Sequence, residues 1–282
     1  MHITELIRFI TEDAPAGDIT SEILAGGKEC RAIITVNEAG IIAGLTESGM
    51  LFSHFGAQVV SSRHDGEQVE AETAIMELAG DAAAILLVER TALNIIGRMS
   101  GIASTTRKFV DAAHRINPDI RIAATRKTCP GMRLLDKKAV AIGGGEPHRT
   151  GLSDMFLIKD NHLALVPLEE AIRKVRVASV YRKIEVEVST AGDAVRAAAA
   201  GADIVMLDNV PPALMKKTLG ELESRGLRNN VILEASGGIN ASNLATYAAL
   251  DLDVLSLGIL THSVKNMDVS LEVLKGAKSF SL

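Results

Sequence analysis

The chain has 282 residues, 47% of them hydrophobic but only 3% aromatic, with no tryptophan and a formal charge of −5. So large an apolar fraction implies a sizeable, mostly aliphatic core and excludes a disordered chain. The acidic balance excludes a general nucleic-acid binder, which carries an overall basic footprint.

The opening MHITELIRFITEDAP carries acidic residues early and no basic segment ahead of an apolar stretch, so no signal peptide is expected. Its ITELIRFIT reads as a short helix, followed by the turn-rich DAPAGDIT. Strand candidates come next: CRAIITVNE, GIIAGLT, AQVVSSR and AIMELAG. Gly-bearing turns such as NEAG and HDGE separate them, a pattern suited to an antiparallel sheet. From Ala83 the periodicity becomes helical, with Leu86, Leu87, Leu93, Ile96 and Met99 at helical offsets. The apolar run AAAILLV (82–88) is far too short to span a bilayer. Cys30 and Cys129 lie far apart in no metal-ligand or CxxC spacing, so a disulfide scaffold is not expected and a reduced cytoplasm is.

Beyond residue 118 the rhythm alternates. IRIAAT, MFLIKD, KIEVEVS, DIVMLDN, VILEASG and VLSLGIL read as strands. TAGDAVRAAAAGA, PPALMKKTLGELESRG and NASNLATYAAL read as the helices between the later ones. Successive β/α units of this kind predict a parallel barrel. The expected division is therefore an N-terminal domain over 1–110 and an α/β barrel over 111–267. The tail, about 268–282, is expected to return to the first domain.

Polar residues collect at the C-terminal ends of these strands: Arg126, Lys127, Lys159, Glu187, Asp208, Glu234 and Ser236. In a β/α barrel those ends converge on the ligand-binding mouth. Loop polarity alone is the plainer reading, but it does not place cations on the early strands and carboxylates on the later ones. Arg126, Lys127, Arg149 and Lys159 flank strand ends or glycine loops and are candidate anion ligands, Arg through its planar fork and Lys as a point charge. Lys137 and Lys138 are expected on a short helix as solvated charges. GGG at 143–145 lets the backbone approach a ligand or serves as a flexible turn, and His148 beside Arg149 is either structural or functional. Glu187 and Asp208 can neutralise a lysine or hold Mg²⁺ together with substrate phosphates. EASGGI (234–239) and SLGILTHS (256–263) each put Ser and Gly after a strand, a phosphate cradle or simply a tight turn. The charge pattern thus fits a polyanion with phosphate on one side and carboxylates across from it. It does not name a reaction.

Several motifs together carry a resemblance: ERTALN (89–94), SGIAS (100–104), TRKTCPGMRLLDKKAV (125–140), GGGEPHR (143–149), LSDMFLIKDNH (152–162), EVEV (185–188), MLDN (206–209), EASGGI (234–239) and LTHS (260–263). In order and over nearly the whole chain, they resemble quinolinate phosphoribosyltransferase. The resemblance implies an N-terminal open α/β sandwich and an irregular, incomplete TIM-like α/β barrel, in a homodimer or a larger assembly of dimers. It implies transfer of phosphoribosyl from phosphoribosyl pyrophosphate to quinolinate, with Mg²⁺, giving nicotinate mononucleotide, pyrophosphate and CO₂. It further implies that Arg90 reaches into the neighbouring subunit's site, and that Arg126, His148, Arg149 and Lys159 surround the quinolinate carboxylates. Lys127 and Lys159 match positions near the phosphoribosyl substrate, and Glu187 and Asp208 an acidic pair at its ribose and metal. Ser236, Gly237, Gly258 and His262 match the phosphate-binding end, and the matches to Lys127, Lys159, Glu187 and Asp208 make these the expected catalytic groups.

Two positions depart from the pattern. Lys138 stands where an aromatic is common, and Glu146 brings a negative charge near the cations. The related branch associated with molybdenum transport shares the glycine turn and is the alternative reading; a binding protein without turnover is a further one. Neither nucleic acid nor membrane is an expected partner.

Overall fold

The computed structural model describes residues 1–274. By its internal contacts the chain forms two compact units. The first comprises Met1–Thr105, Leu134–Gly144 and residues 264–274; the second comprises Thr106–Arg133 and Gly145–Ser263.

In the first unit α1 (Ile3–Asp13) is capped reciprocally by His2 and Glu5 and buries Leu6 and Ile10, one helical turn apart. Helix α2 (Ile19–Leu24) starts on Asp18, whose carboxylate accepts from the Thr20 and Ser21 N–H groups. Strand β1 (Glu29–Val36) alternates, burying Ala32, Ile34 and Val36. The short β2 (Gly40–Ile41) leads into α3 (Leu45–His54), and β3 (Gln58–Ser62), β4 (Gln68–Val69) and β5 (Thr73–Asp81) follow. The expected strand GIIAGLT is thus strand only at Gly40–Ile41. Leu45, Ser48, Leu51 and Phe52 are buried at helical spacing, and that periodicity decides the segment. Strand β1 pairs antiparallel with β5, and β5 with β3. The late strand Val269–Val273 pairs antiparallel with β1 on its other side. The remainder of the tail, 275–282, lies outside the described residues.

Helix α4 (Ala82–His114) buries Ile85, Val88, Ala92, Ile95, Ile96, Met99 and Ile102 along one side. Its Arg98 holds Asp136 in a two-pronged pair, Nε to Oδ1 at 2.7 Å and an Nη to Oδ2 at 2.8 Å. Strand β6 (Arg121–Ala124) opens the second unit and is followed by α5 (Arg133–Ile142). Most of α5 groups with the first unit. Lys137 and Lys138 do lie on a short helix, but they are not solvated charges. Lys137 is only 3% exposed, and Lys138 Nζ lies 2.8 Å from Glu47 and 3.4 Å from Asp65. Asp136 and Lys137 are buried, and Lys138 is half-buried and balanced by carboxylates distant in sequence.

The rest of the second unit repeats strand and helix: β7 (Phe156–Ile158), α6 (Asp160–Leu163), α7 (Leu168–Ala178), β8 (Ile184–Val188), α8 (Ala191–Ala199), β9 (Ile204–Asp208), α9 (Pro212–Ser224), β10 (Ile232–Ser236), α10 (Leu244–Ala248), β11 (Val254–Leu257) and α11 (Ile259–His262). Its six strands form one parallel sheet in the order β6-β11-β10-β9-β8-β7. β6 and β7 are its two edges, so the α/β barrel is incomplete; a single parallel bridge from Ala123 to Glu146 extends the β6 edge. Every strand runs the same way, so all six C-terminal ends open on one side.

Candidate active site

Register places the site. Paired residues of adjacent parallel strands share a face, so Glu187, Met206 and Glu234 stand side by side across β8, β9 and β10. Asp208, Ser236 and Ser256 form the next row toward the strand ends. These rows floor a cavity of about 430 Å³, whose wall is completed by Arg126, Lys127, His148, Arg149 and Lys159. Nine residues singled out from the sequence therefore meet in one place: Arg126, Lys127, His148, Arg149, Lys159, Glu187, Asp208, Glu234 and Ser236.

The cations are held in tension. Arg126 Nε is buried with no hydrogen-bond partner. Arg149 sits close enough to Arg126 for mutual repulsion. Burial first, and that repulsion second, hold its guanidinium below the ordinary arginine range; Glu185, Asp154 and Glu187 offset only part. Two guanidinium groups so placed, one with an orphaned N–H, are suited to a carboxylate or phosphate arriving from outside. Lys159, in contrast, is paired closely with Glu187. A second cavity of about 500 Å³ shares Arg126, Arg149 and Lys159; apart from His162 and Lys174 the rest of its wall is apolar, including Leu152, Met155, Phe156 and Val175. Charged ends beside an apolar wall suit a flat ring bearing carboxylates.

The opposite end of the site is made by backbone. Asn209, itself at φ +54°, turns its side-chain N–H₂ to Asp208 at 2.6 Å, and its backbone N–H donates to the Ser236 carbonyl at 2.9 Å. Gly237 lies over this corner at φ +91°, and a Cβ there would stand 2.3 Å from the Asn209 amide oxygen. Only glycine fits. The Lys127 carbonyl accepts from Thr261 Oγ1 at 2.8 Å, which ties the loop after β6 to α11. Gly258 is pressed between Lys127 and His262, since a Cβ there would stand 3.1 Å from Lys127 Cδ and 2.9 Å from the His262 ring. Lys127, Gly258 and His262 thus lie together.

Two residues singled out from the sequence do not line this cavity. Arg90 is on α4 in the first unit, 63% exposed and 3.9 Å from Glu89; it does not line the cavity. The Glu146 carboxylate is paired with Arg121 at 2.6 Å.

Sequence reasoning missed Glu185. It lies one step below Glu187 on the same face of β8, completely buried, and neither of its carboxylate oxygens has a hydrogen-bond partner. Burial first, and the nearby Glu234 second, push its pKa up to about 8. His148 Nε2 stands 3.4 Å from Glu185 and 3.5 Å from Glu234. The available signal was the two-residue spacing of EVEV: with Glu187 in a cavity, Glu185 must face the same interior.

The family model for the quinolinate phosphoribosyl transferase C-terminal domain matches residues 102–272, and that for the N-terminal domain matches 18–100. A probable nicotinate-nucleotide pyrophosphorylase [carboxylating] of Methanothermobacter thermautotrophicus is 47% identical over 274 residues, covering 96% of this chain and 97% of that one. The nicotinate-nucleotide pyrophosphorylase [carboxylating] of Rattus norvegicus is 36% identical over 94% of this chain and 88% of its own. Among solved structures, the nicotinate-nucleotide pyrophosphorylase from Francisella tularensis superposes with a TM-score of 0.89 at 33% identity, covering 97% of this chain and 98% of that one.

Proposed function

This chain belongs to the quinolinate phosphoribosyltransferase family, and from that premise we propose how its residues perform the reaction. The activity is transfer of phosphoribosyl from phosphoribosyl pyrophosphate to quinolinate with loss of CO₂, giving nicotinate mononucleotide and pyrophosphate in NAD biosynthesis. The molybdenum-associated alternative is not favoured, because the relatives matched over most of the chain are carboxylating pyrophosphorylases.

The observation that carries the residue roles is the unsatisfied cation pair, Arg126 with its orphaned Nε and the repelled Arg149, in one cavity with Glu187 and Asp208. Quinolinate brings two carboxylates, and a dianion in a closed site must be paired. Arg126, Arg149 and Lys159 take these carboxylates, with His148 at the same corner. Lys127, Ser236, Gly237, Gly258 and His262 take the phosphates of the sugar substrate. The pyridine nitrogen then approaches the anomeric carbon as the bond to pyrophosphate breaks. Glu187 and Asp208 face the positive charge that develops on the ribose, where fixed carboxylates stabilise it. Holding both substrates in line contributes about 7–11 kcal/mol in well-oriented cases. The ribosylated ring is a pyridinium, so the electrons of the adjacent C–CO₂ bond remain at that carbon beside the cationic nitrogen. CO₂ leaves, and a proton takes its place.

Glu187 and Asp208 supply the hard oxygen donors that Mg²⁺ prefers, alongside substrate phosphates. When bound there, the ion would neutralise charge leaving with pyrophosphate. The exposed Arg90 completes a neighbouring copy's quinolinate pocket in a homodimer or an assembly of dimers. No helix among the described residues is long and apolar enough to cross a membrane, and small charged metabolites as substrates support a cytoplasmic setting.

The test is turnover with quinolinate, phosphoribosyl pyrophosphate and Mg²⁺, following nicotinate mononucleotide and CO₂ together with nicotinate as parallel substrate. Equal amounts of both products from quinolinate, and none from nicotinate, are expected. No product from quinolinate would overturn the reading.

A further inference from the structure

The buried group of His148, Glu185 and Glu234 has no part in the scheme above beyond the histidine's place at the corner. One potential ligand atom from each of the three lies within 4.8 Å of the other two, and three carboxyl oxygens, both of Glu185 and Oε1 of Glu234, lack hydrogen-bond partners. Such burial demands a donor or a cation. The ring of His148 decides between them. The Arg149 backbone N–H donates to Nδ1 at 2.7 Å, so Nδ1 carries no proton and the neutral ring bears it on Nε2. A metal-bound histidine needs the reverse: a free Nε2 lone pair and a protonated Nδ1 directed at an acceptor. Here Nε2 faces the carboxyl groups of Glu185 and Glu234 at 3.4 and 3.5 Å as an N–H. Hydrogen bonds of active sites often stand long in the ligand-free state and tighten in the complex.

The backbone adds a second constraint. His148 is held at φ +56°, a left-handed conformation that a non-glycine residue adopts at a cost. That turn sets the direction in which the next residue, Arg149, leaves the chain. A ring that faces two buried carboxyl groups with Nε2 and takes the Arg149 N–H on Nδ1 is constrained from both sides of the turn.

We propose that Glu185 and Glu234 are positioning residues: they hold the Nε2–H tautomer of His148 and so fix the left-handed His148–Arg149 corner that aims Arg149 at a quinolinate carboxylate. The proposal rests on the reading of Arg149 as a carboxylate ligand.

Two experiments test it, and the first needs no substrate. In ¹⁵N-histidine NMR of the ligand-free protein, with His148 assigned by its loss in H148Q, the ring shows a protonated Nε2 and an unprotonated Nδ1. A protonated Nδ1, with or without a resonance that moves on adding Zn²⁺, overturns the assignment, as does a doubly protonated ring. The second is kinetic. Glu185→Leu and Glu234→Leu raise the KM for quinolinate about tenfold, the loss of one hydrogen bond to a buried group, and leave the KM for phosphoribosyl pyrophosphate unchanged. Glu185→Gln and Glu234→Gln keep an acceptor oxygen and stay near wild type. An unchanged quinolinate KM in the leucine variants, or equal rises for both substrates, refutes the positioning role. If the leucine variants do not fold, the tautomer in the wild-type protein still decides. Absence of quinolinate turnover in the wild type would instead strike the functional reading and leave the NMR result standing.

Discussion

Replacing Arg149 by methionine separates what this side chain costs the empty protein from what it gives the complex. In the ligand-free state its guanidinium is half-buried and repelled by Arg126, with nearby carboxylates offsetting only part of that cost. Methionine keeps most of the apolar stem and removes the charge, so stability in the absence of ligand is unchanged or raised. In the complex, a charged hydrogen-bonded pair with a substrate carboxylate is lost, and such a pair contributes about 1.5–3 kcal/mol. Quinolinate binding should weaken by roughly 10- to 150-fold. Lysine at the same position restores the charge without the planar fork and recovers only part of the loss. The assays are a urea unfolding midpoint without ligand and a quinolinate titration by calorimetry, run on the same preparation. A drop of more than about 1 kcal/mol in ligand-free stability, on the scale of ordinary destabilising mutations, would refute the claim that the cation pair is strained. Quinolinate affinity within twofold of wild type would remove Arg149 from the carboxylate site.

Arg90→Ala and Lys159→Ala should each be nearly inactive alone. Mixed and reassembled, they should regain about a quarter of wild-type activity, because half of randomly paired dimers are mixed and each mixed dimer has one intact site; no recovery would refute a site shared between copies. Arg98→Met leaves the Asp136 carboxylate fully buried without its partner and should cost about 3–5 kcal/mol in urea unfolding. Adding Asp136→Leu should restore much of that, and a double variant no more stable than the single one would count against the pairing as the cause.

Much of the second unit was legible because its physics is local. Each buried parallel strand is a short apolar run closed by polar residues, and all six appear where those runs stand. Arg126, Lys127, Lys159, Glu187, Asp208 and Ser236 could be grouped before any coordinates, because parallel strands must bring equivalent ends together. GIIAGLT was misread because a short apolar run fits strand and helix alike until its burial pattern is known. Lys137 and Lys138 were misread for a different reason. Charge argues for solvent unless a partner exists, and the partners of Lys138 are Glu47 and Asp65, more than seventy residues away.

By itself, then, the sequence determined the alternation of strands and helices, the placing of cations and carboxylates at strand ends, and the motifs that carry the family. These depend on period and order along the chain. The tertiary structure alone decided which charges are compensated: Lys159 by Glu187, Glu146 by Arg121 and Asp136 by Arg98, while Arg126 Nε and the Glu185 carboxyl are left without hydrogen-bond partners. Compensation depends on distance and desolvation between residues that only folding brings together.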